Sequence, residues 1–174
     1  MVNTHPPQPH PDDIVQIIKR DHKPLKVLLA ILKNENVPYL EKREAFQQLS
    51  PLLEAHNVPE QEIWYHCMKR EHAYTVEISE GELEHRLAEQ ICKDMKTTTS
   101  ERSFLSKAKV LAEMIEHHIK VEERDLLPDF ESATTLDERV ELGLIYLERQ
   151  QQIESLQTTE RHRFPLSSLD NMQG

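Results

Sequence analysis

The chain has 174 residues, room for one domain and hardly two, with 31 acidic against 21 basic residues and a formal charge of −10. That balance argues against nucleic acid and anionic membrane surfaces as partners, and 3 glycines in a chain that is 30% charged suit helices rather than a turn-rich β sandwich. No apolar run approaches the roughly 20 residues of a bilayer span, no signal peptide opens the chain and two cysteines make no disulfide framework, so a cytoplasmic protein is expected.

Residues 1–11 hold four prolines and two histidines and read as a flexible arm. Asp12 or Asp13 offers an N-cap to a first helix reaching about Asn34. Its inward stripe is Ile14, Ile18, His22, Leu25, Leu29 and Leu32. A turn over 34–38 leads to a second helix from Tyr39 to about Arg70, with the stripe Leu49, Leu53, His56, Glu60, Ile63 and Cys67. Ser50-Pro51 resembles an N-cap with proline at the first helical position, so a break is expected there. The stretch 71–78 is ambiguous. Ser79 and Glu82 form a capping-box pattern for a third helix to about Lys96, with the stripe His85, Ala88, Cys92 and Met95. A fourth helix runs from about Glu101 to Leu127, where Pro128 ends it. Its stripe is Phe104, Ala108, Leu111, Ile115, His118, Glu122 and Leu126. Thr135 and Glu138 form another capping box, opening a helix to about Glu160. The expected fold is all-α: an up-down four-helix bundle over 12–128, an additional C-terminal helix within 129–160, and a tail over 161–174.

Ten histidines are the anomaly of the composition. His22, His56, Glu60, His85, His118 and Glu122 all occupy positions where steps of three and four demand apolar side chains. In an up-down bundle, residues at one level are mirrored about the intervening turn. The midpoint of His22 and His56 is position 39. The next two midpoints fall between 70 and 71 and between 101 and 102, all at or beside the inferred turns. The four histidines can therefore share one level of the core.

Burying this set bare is costly. An unsatisfied buried polar group costs roughly 1–3 kcal/mol, against a total stability of about 5–15 kcal/mol. Metal ions would compensate, and imidazoles with carboxylates but no thiolate suit iron, manganese or zinc. Four His and two Glu divide into two metals, each taking two histidines, with both carboxylates bridging and positions left for a small ligand. The bland alternative is a buried His/Glu hydrogen-bond network.

These segments resemble the hemerythrin-like HHE cation-binding domains. The resemblance runs from Asp21-His22 through Ala55-His56-Asn57-Val58-Pro59-Glu60-Gln61-Glu62 and Glu84-His85. It continues to His118-Ile119-Lys120-Val121-Glu122-Glu123 and Leu126-Leu127-Pro128, covering about 12–128. It implies a four-helix bundle around two non-haem Fe ions, oxo- or hydroxo-bridged, that react with oxygen (O2), peroxide or nitric oxide (NO). It carries ligand roles onto His22, His56, Glu60, His85, His118 and Glu122, with Glu60 and Glu122 bridging.

Two departures from the oxygen carriers of that family matter. They have a second histidine one turn after the third ligand, where this chain has Glu89. Their last carboxylate is an Asp five residues after its His, whereas Glu122 follows His118 by four. Glu89 or water takes the missing fifth position. Added carboxylate favours ferric iron, which points to sensing, redox chemistry or iron handling rather than reversible oxygen carriage.

His66, His72 and His117 fall off the stripes and read as solvated surface. His5, His10 and His162 lie in tails. Cys67 and Cys92 read as free thiols filling the core. Trp64 and Tyr65 are expected near the site, mainly as core aromatics. Three functions compete: a di-iron protein that binds or senses O2, peroxide or NO, or serves iron and redox homeostasis; a di-iron oxidase or peroxidase; and a metal-free helical adaptor. Ferritin-like oxidases repeat an E-x-x-H motif on two helices, and here it occurs once, at Glu82–His85. A sensor of this kind would need a separate protein partner.

Overall fold

The computed structural model describes residues 9–71 and 76–163, with the side chains of 71 and 161–163 left aside. Most of the expected N-terminal arm, with His5, lies outside the described residues. So do His72, the His162 side chain and the end of the tail.

The described residues are almost entirely helical and contain no strand. Helix α1 (Ile14–Lys33) is capped by Asp13, whose side chain accepts from the Val15 amide at 2.9 Å. Helix α2 (Tyr39–Pro59) passes into a π-helical turn (Glu60–Tyr65) and then α3 (His66–Glu71). Helix α4 (Val76–Thr97) precedes α5 (Glu101–Val121), which Ser100 caps. A second π-helical turn (Glu122–Leu126) leads into α6 (Leu127–Ala133). Helix α7 (Leu136–Arg163) opens with the expected capping box: the Thr135 amide donates to Glu138 at 2.7 Å and the Glu138 amide to Thr135 Oγ1 at 3.3 Å.

Three boundaries differ from the sequence reading. Ser50-Pro51 does not break α2, because Phe46, Leu49 and Leu53 pack on both sides of the proline and outweigh one lost backbone bond. Pro128 does not end the fourth rod. The π turn before it resets the register, so Pro128 falls in the first turn of α6, where no amide hydrogen is required. Ser79 is not a cap, since α4 already begins at Val76.

The π turns also shift the inward stripes. Each inserts one extra residue per turn. Beyond Glu60 the fully buried residues are Trp64 and Tyr65 rather than Ile63. Beyond Glu122 they are Leu127 and Phe130, with Leu126 nearly so.

The four rods form the bundle, with α1 packed on α2 and α5, and α4 on α5. Helix α7 lies against α1 and α2. The apolar core is split in two. One cluster gathers Leu25, Leu29, Leu49, Met95, Phe104 and Leu111. The other gathers Ile14, Ile18, Trp64, Ile78, Leu127 and Phe130. A buried polar layer separates them, contributed by all four rods. No helix among the described residues is long and apolar enough to cross a membrane.

Candidate metal centre

The polar layer consists of the six residues singled out by periodicity. His22, His56, Glu60, His85, His118 and Glu122 are all at least 97% buried. Their imidazole Nε2 atoms point inward at the two carboxylates. Glu60 Oε2 stands 3.5 Å from His56 Nε2, 3.4 Å from His85 Nε2 and 3.9 Å from His118 Nε2. Glu122 spans the other direction, with Oε2 3.2 Å from His22 Nε2 and Oε1 3.3 Å from His118 Nε2. Two donor groups result: His22, His56, Glu60 and Glu122; and Glu60, His85 and His118. Glu60 belongs to both groups, and Glu122 reaches both His22 and His118.

Each carboxylate follows its histidine by four residues and opens a π turn. Pro59 precedes Glu60 without turning that side chain away from the centre. Widened turns of this kind recur at functional sites because they re-aim side chains that a uniform α-helix would spread around its circumference.

The outer nitrogens are held by a second set of groups. His22 Nδ1 meets Glu123 Oε1 at 2.9 Å, and His118 Nδ1 meets Glu84 Oε2 at 2.8 Å. His56 Nδ1 meets the Tyr146 hydroxyl at 3.2 Å. Tyr65 stacks on His85 and donates to Glu122 Oε1 at 2.6 Å. These partners orient the rings and keep Nε2 toward the centre.

His85 Nε2 and His118 Nε2 meet at 2.9 Å, but the remaining inner atoms are not satisfied by one another. His22 Nε2, His56 Nε2, both Glu60 oxygens and Glu122 Oε2 are buried without a hydrogen-bond partner. They lie close enough to attract but are not aligned to bond. Bare buried polar atoms are rare because each forfeits its solvation. A nitrogen and oxygen donor set converging from four directions fits cations of the iron, manganese or zinc kind. Neither thiol joins it: Cys67 and Cys92 sit in the flanking apolar clusters. Burial pushes the Cys92 thiol up to about 11.

Electrostatics follow the same pairing. Burial opposes ionisation of Glu60, but His56, His118 and His85 outweigh it and hold its carboxyl well below the usual range. Burial pulls His118 down, yet Glu122, Glu60 and Glu84 raise it well above the ordinary histidine value. His22 is likewise raised against burial, by Glu122, Glu60 and Glu123. His56 is lowered, because burial there exceeds the attraction of Glu60.

Glu89 stands apart from the six. Its side chain is 65% exposed and paired with Lys93. It lies at the rim of a cavity of about 250 Å³ between α2 and α4, which has His85, Asn57 and Cys92 in its lining. Leaning outward gives this carboxylate water and a cation, whereas turning inward would add a third buried negative charge to the layer. His66 and His117 are exposed, as their off-stripe positions predict.

Sequence reading missed Glu84, Glu123, Asp21 and Tyr146. The first three adjoin His85, Glu122 and His22 within the segments that carry the family resemblance, but nothing in the sequence assigned them a role. Tyr146 lies on an inward stripe of α7 with buried Arg139 and Ile153 and half-buried Leu142 and Gln150, but a stripe does not name its partner.

No curated protein and no solved structure gives a match to this chain. Residues 13–130 match the family model described as Hemerythrin HHE cation binding domain, which spans the four rods and all six residues of the polar layer, and the chain belongs to that family.

Proposed function

We propose that this protein is a non-haem di-iron protein that binds or senses a small ligand such as O2, peroxide or NO. One observation carries the reading: five inward-facing polar atoms of a fully buried His/Glu layer lack hydrogen-bond partners. In this reading His22 and His56 hold one ion and His85 and His118 the other. Glu60 and Glu122 would hold both ions. Bound iron supplies redox and ligand-binding chemistry.

The chain's own residues prepare the place for it. Glu123 and Glu84 accept from the outer nitrogens of His22 and His118, which makes the inner nitrogens better electron donors. Tyr65 donates to Glu122 and holds that carboxylate in its spanning orientation. The apolar clusters on either side exclude water from the layer. The cavity between α2 and α4 reaches His85, and a molecule of two or three atoms fits within its 250 Å³. Glu89 faces solvent and does not compete for the position beside His85.

Metal analysis with an optical spectrum of protein made in iron-replete medium tests the proposal. Two irons per chain and a near-ultraviolet charge-transfer band in the oxidised form are expected. One metal or none per chain would refute it. Repeated turnover with peroxide and a reductant would shift the reading to an oxidase or peroxidase using the same six residues.

A further inference from the structure

Helix α7 begins beyond the residues that the family model matches. One of its side chains is nevertheless built into the polar layer. Tyr146 is fully buried. Its hydroxyl lies 3.2 Å from His56 Nδ1, 3.2 Å from the His56 carbonyl oxygen and 3.3 Å from Asp21 Oδ2. Asp21 is in turn held by Gln150 Nε2 at 2.7 Å, from one turn further along α7.

A phenol hydroxyl has one hydrogen and two lone pairs. The carbonyl and the carboxylate can only accept, so they compete for that hydrogen. An ionised carboxylate is the stronger acceptor. Either choice leaves an oxygen lone pair for His56 Nδ1, which must then donate. Donation from Nδ1 places the ring hydrogen on the outer nitrogen and leaves the lone pair on Nε2. His56 Nε2 is the buried, unpartnered atom that faces Glu60.

The other histidines are arranged differently. His22 and His118 have carboxylates at their outer nitrogens, and His85 Nδ1 has no hydrogen-bond partner among the described residues. His56 alone depends on a group from outside the four rods.

We infer that Tyr146 is a positioning residue of the centre: its hydroxyl sets the tautomer of His56, so the His22–His56 half depends on the C-terminal helix. The inference rests on His56 being a ligand in the reading above. Its tautomer component stands whether or not metal binds. Helix α7 has anchors of its own. Arg139 Nε pairs with buried Asp13 at 2.9 Å, and Gly143 packs so closely on the Asp12 carbonyl that any side chain there would overlap it. Removing one hydroxyl therefore leaves the helix docked.

The test uses the full chain and Tyr146→Phe, which keeps the ring and loses the oxygen. In metal-free protein with labelled histidine, long-range nitrogen–proton correlations should show wild-type His56 protonated at Nδ1 and bare at Nε2. In Tyr146→Phe the His56 signals should move toward the opposite tautomer while those of His22 and His118 stay. Anaerobic titration with ferrous iron against a competing chelator should show one of two affinities falling about 10-fold or more, the other unchanged. A wild-type His56 protonated at Nε2 would overturn the inference. So would a Tyr146→Phe protein with unmoved tautomer, or one whose two affinities fall equally. If wild-type protein takes up no iron, the metal reading fails, and the tautomer measurement still decides what Tyr146 does.

Discussion

The Tyr65 hydroxyl donates to Glu122 Oε1 at 2.6 Å, joining the π turn of one rod to the π turn of another across the core. Gly81 on α4 makes this possible, because a methyl group there would overlap the Tyr65 hydroxyl. Tyr65→Phe strips a buried carboxylate of its donor and should destabilise the metal-free protein by about 2 kcal/mol. Gly81→Ala should cost about 1–3 kcal/mol through overpacking. The two should combine to less than their sum, since loss of the hydroxyl relieves the overlap. Denaturant unfolding of the two single variants and the double variant checks this. Strict additivity would mean that Gly81 does not act on Tyr65.

Metal uptake should follow the buried layer and ignore its surface neighbours. His56→Ala and His118→Ala should lower metal content, whereas exposed His117→Ala should leave it unchanged. Metal that binds only the folded chain stabilises it by about 2.7 kcal/mol at 100 times its dissociation constant, so chelation should lower Tm by several degrees. Equal metal loss from His117→Ala would show that the register of α5 is wrong.

Glu89 faces water and Lys93, so Glu89→Ala should change neither metal content nor optical spectrum. Stability should move by no more than about 0.5 kcal/mol, as for other exposed ion pairs. A displaced absorption band in the loaded variant would place this carboxylate at the metal after all.

The metal-free protein should lose stability as pH rises. Burial works against the charged form of His118 and His22, but neighbouring carboxylates raise both above the ordinary value of 6.5. Their stabilisation is complete below 6.5 and is lost as pH passes through the folded values. His56, lowered by burial, acts in the opposite sense, one residue against two. On the acid side Glu60 is held well below 4.5, so its contribution disappears as pH falls from 4.5 through the folded value. Metal binding should reverse the alkaline limb, because protons and metal compete for the same imidazoles. Tm measured between about pH 6 and pH 9 should fall for metal-free protein and hold or rise for loaded protein. Parallel curves would mean that the imidazoles do not exchange protons for metal.

The six residues of the layer were legible in the sequence because α-helical periodicity is local. A polar side chain at a step of three or four from leucines must enter the core, and mirror positions about the turns put four histidines at one level. Caps at Asp13 and Thr135 were equally local. The π turns were not, since their hydrogen bonds shift by one residue only where packing rewards it. That shift brought Trp64 and Tyr65 inward in place of Ile63. Glu89 was undecidable from spacing, because a residue beside a stripe can lean either way, and the nearby Lys93 and water settle it outward. Tyr146 lies 90 residues from His56 in the chain. Only the docking of α7 against α1 and α2 brings that hydroxyl to the imidazole, because a contact between distant segments depends on how the helices pack and not on the pattern within either one.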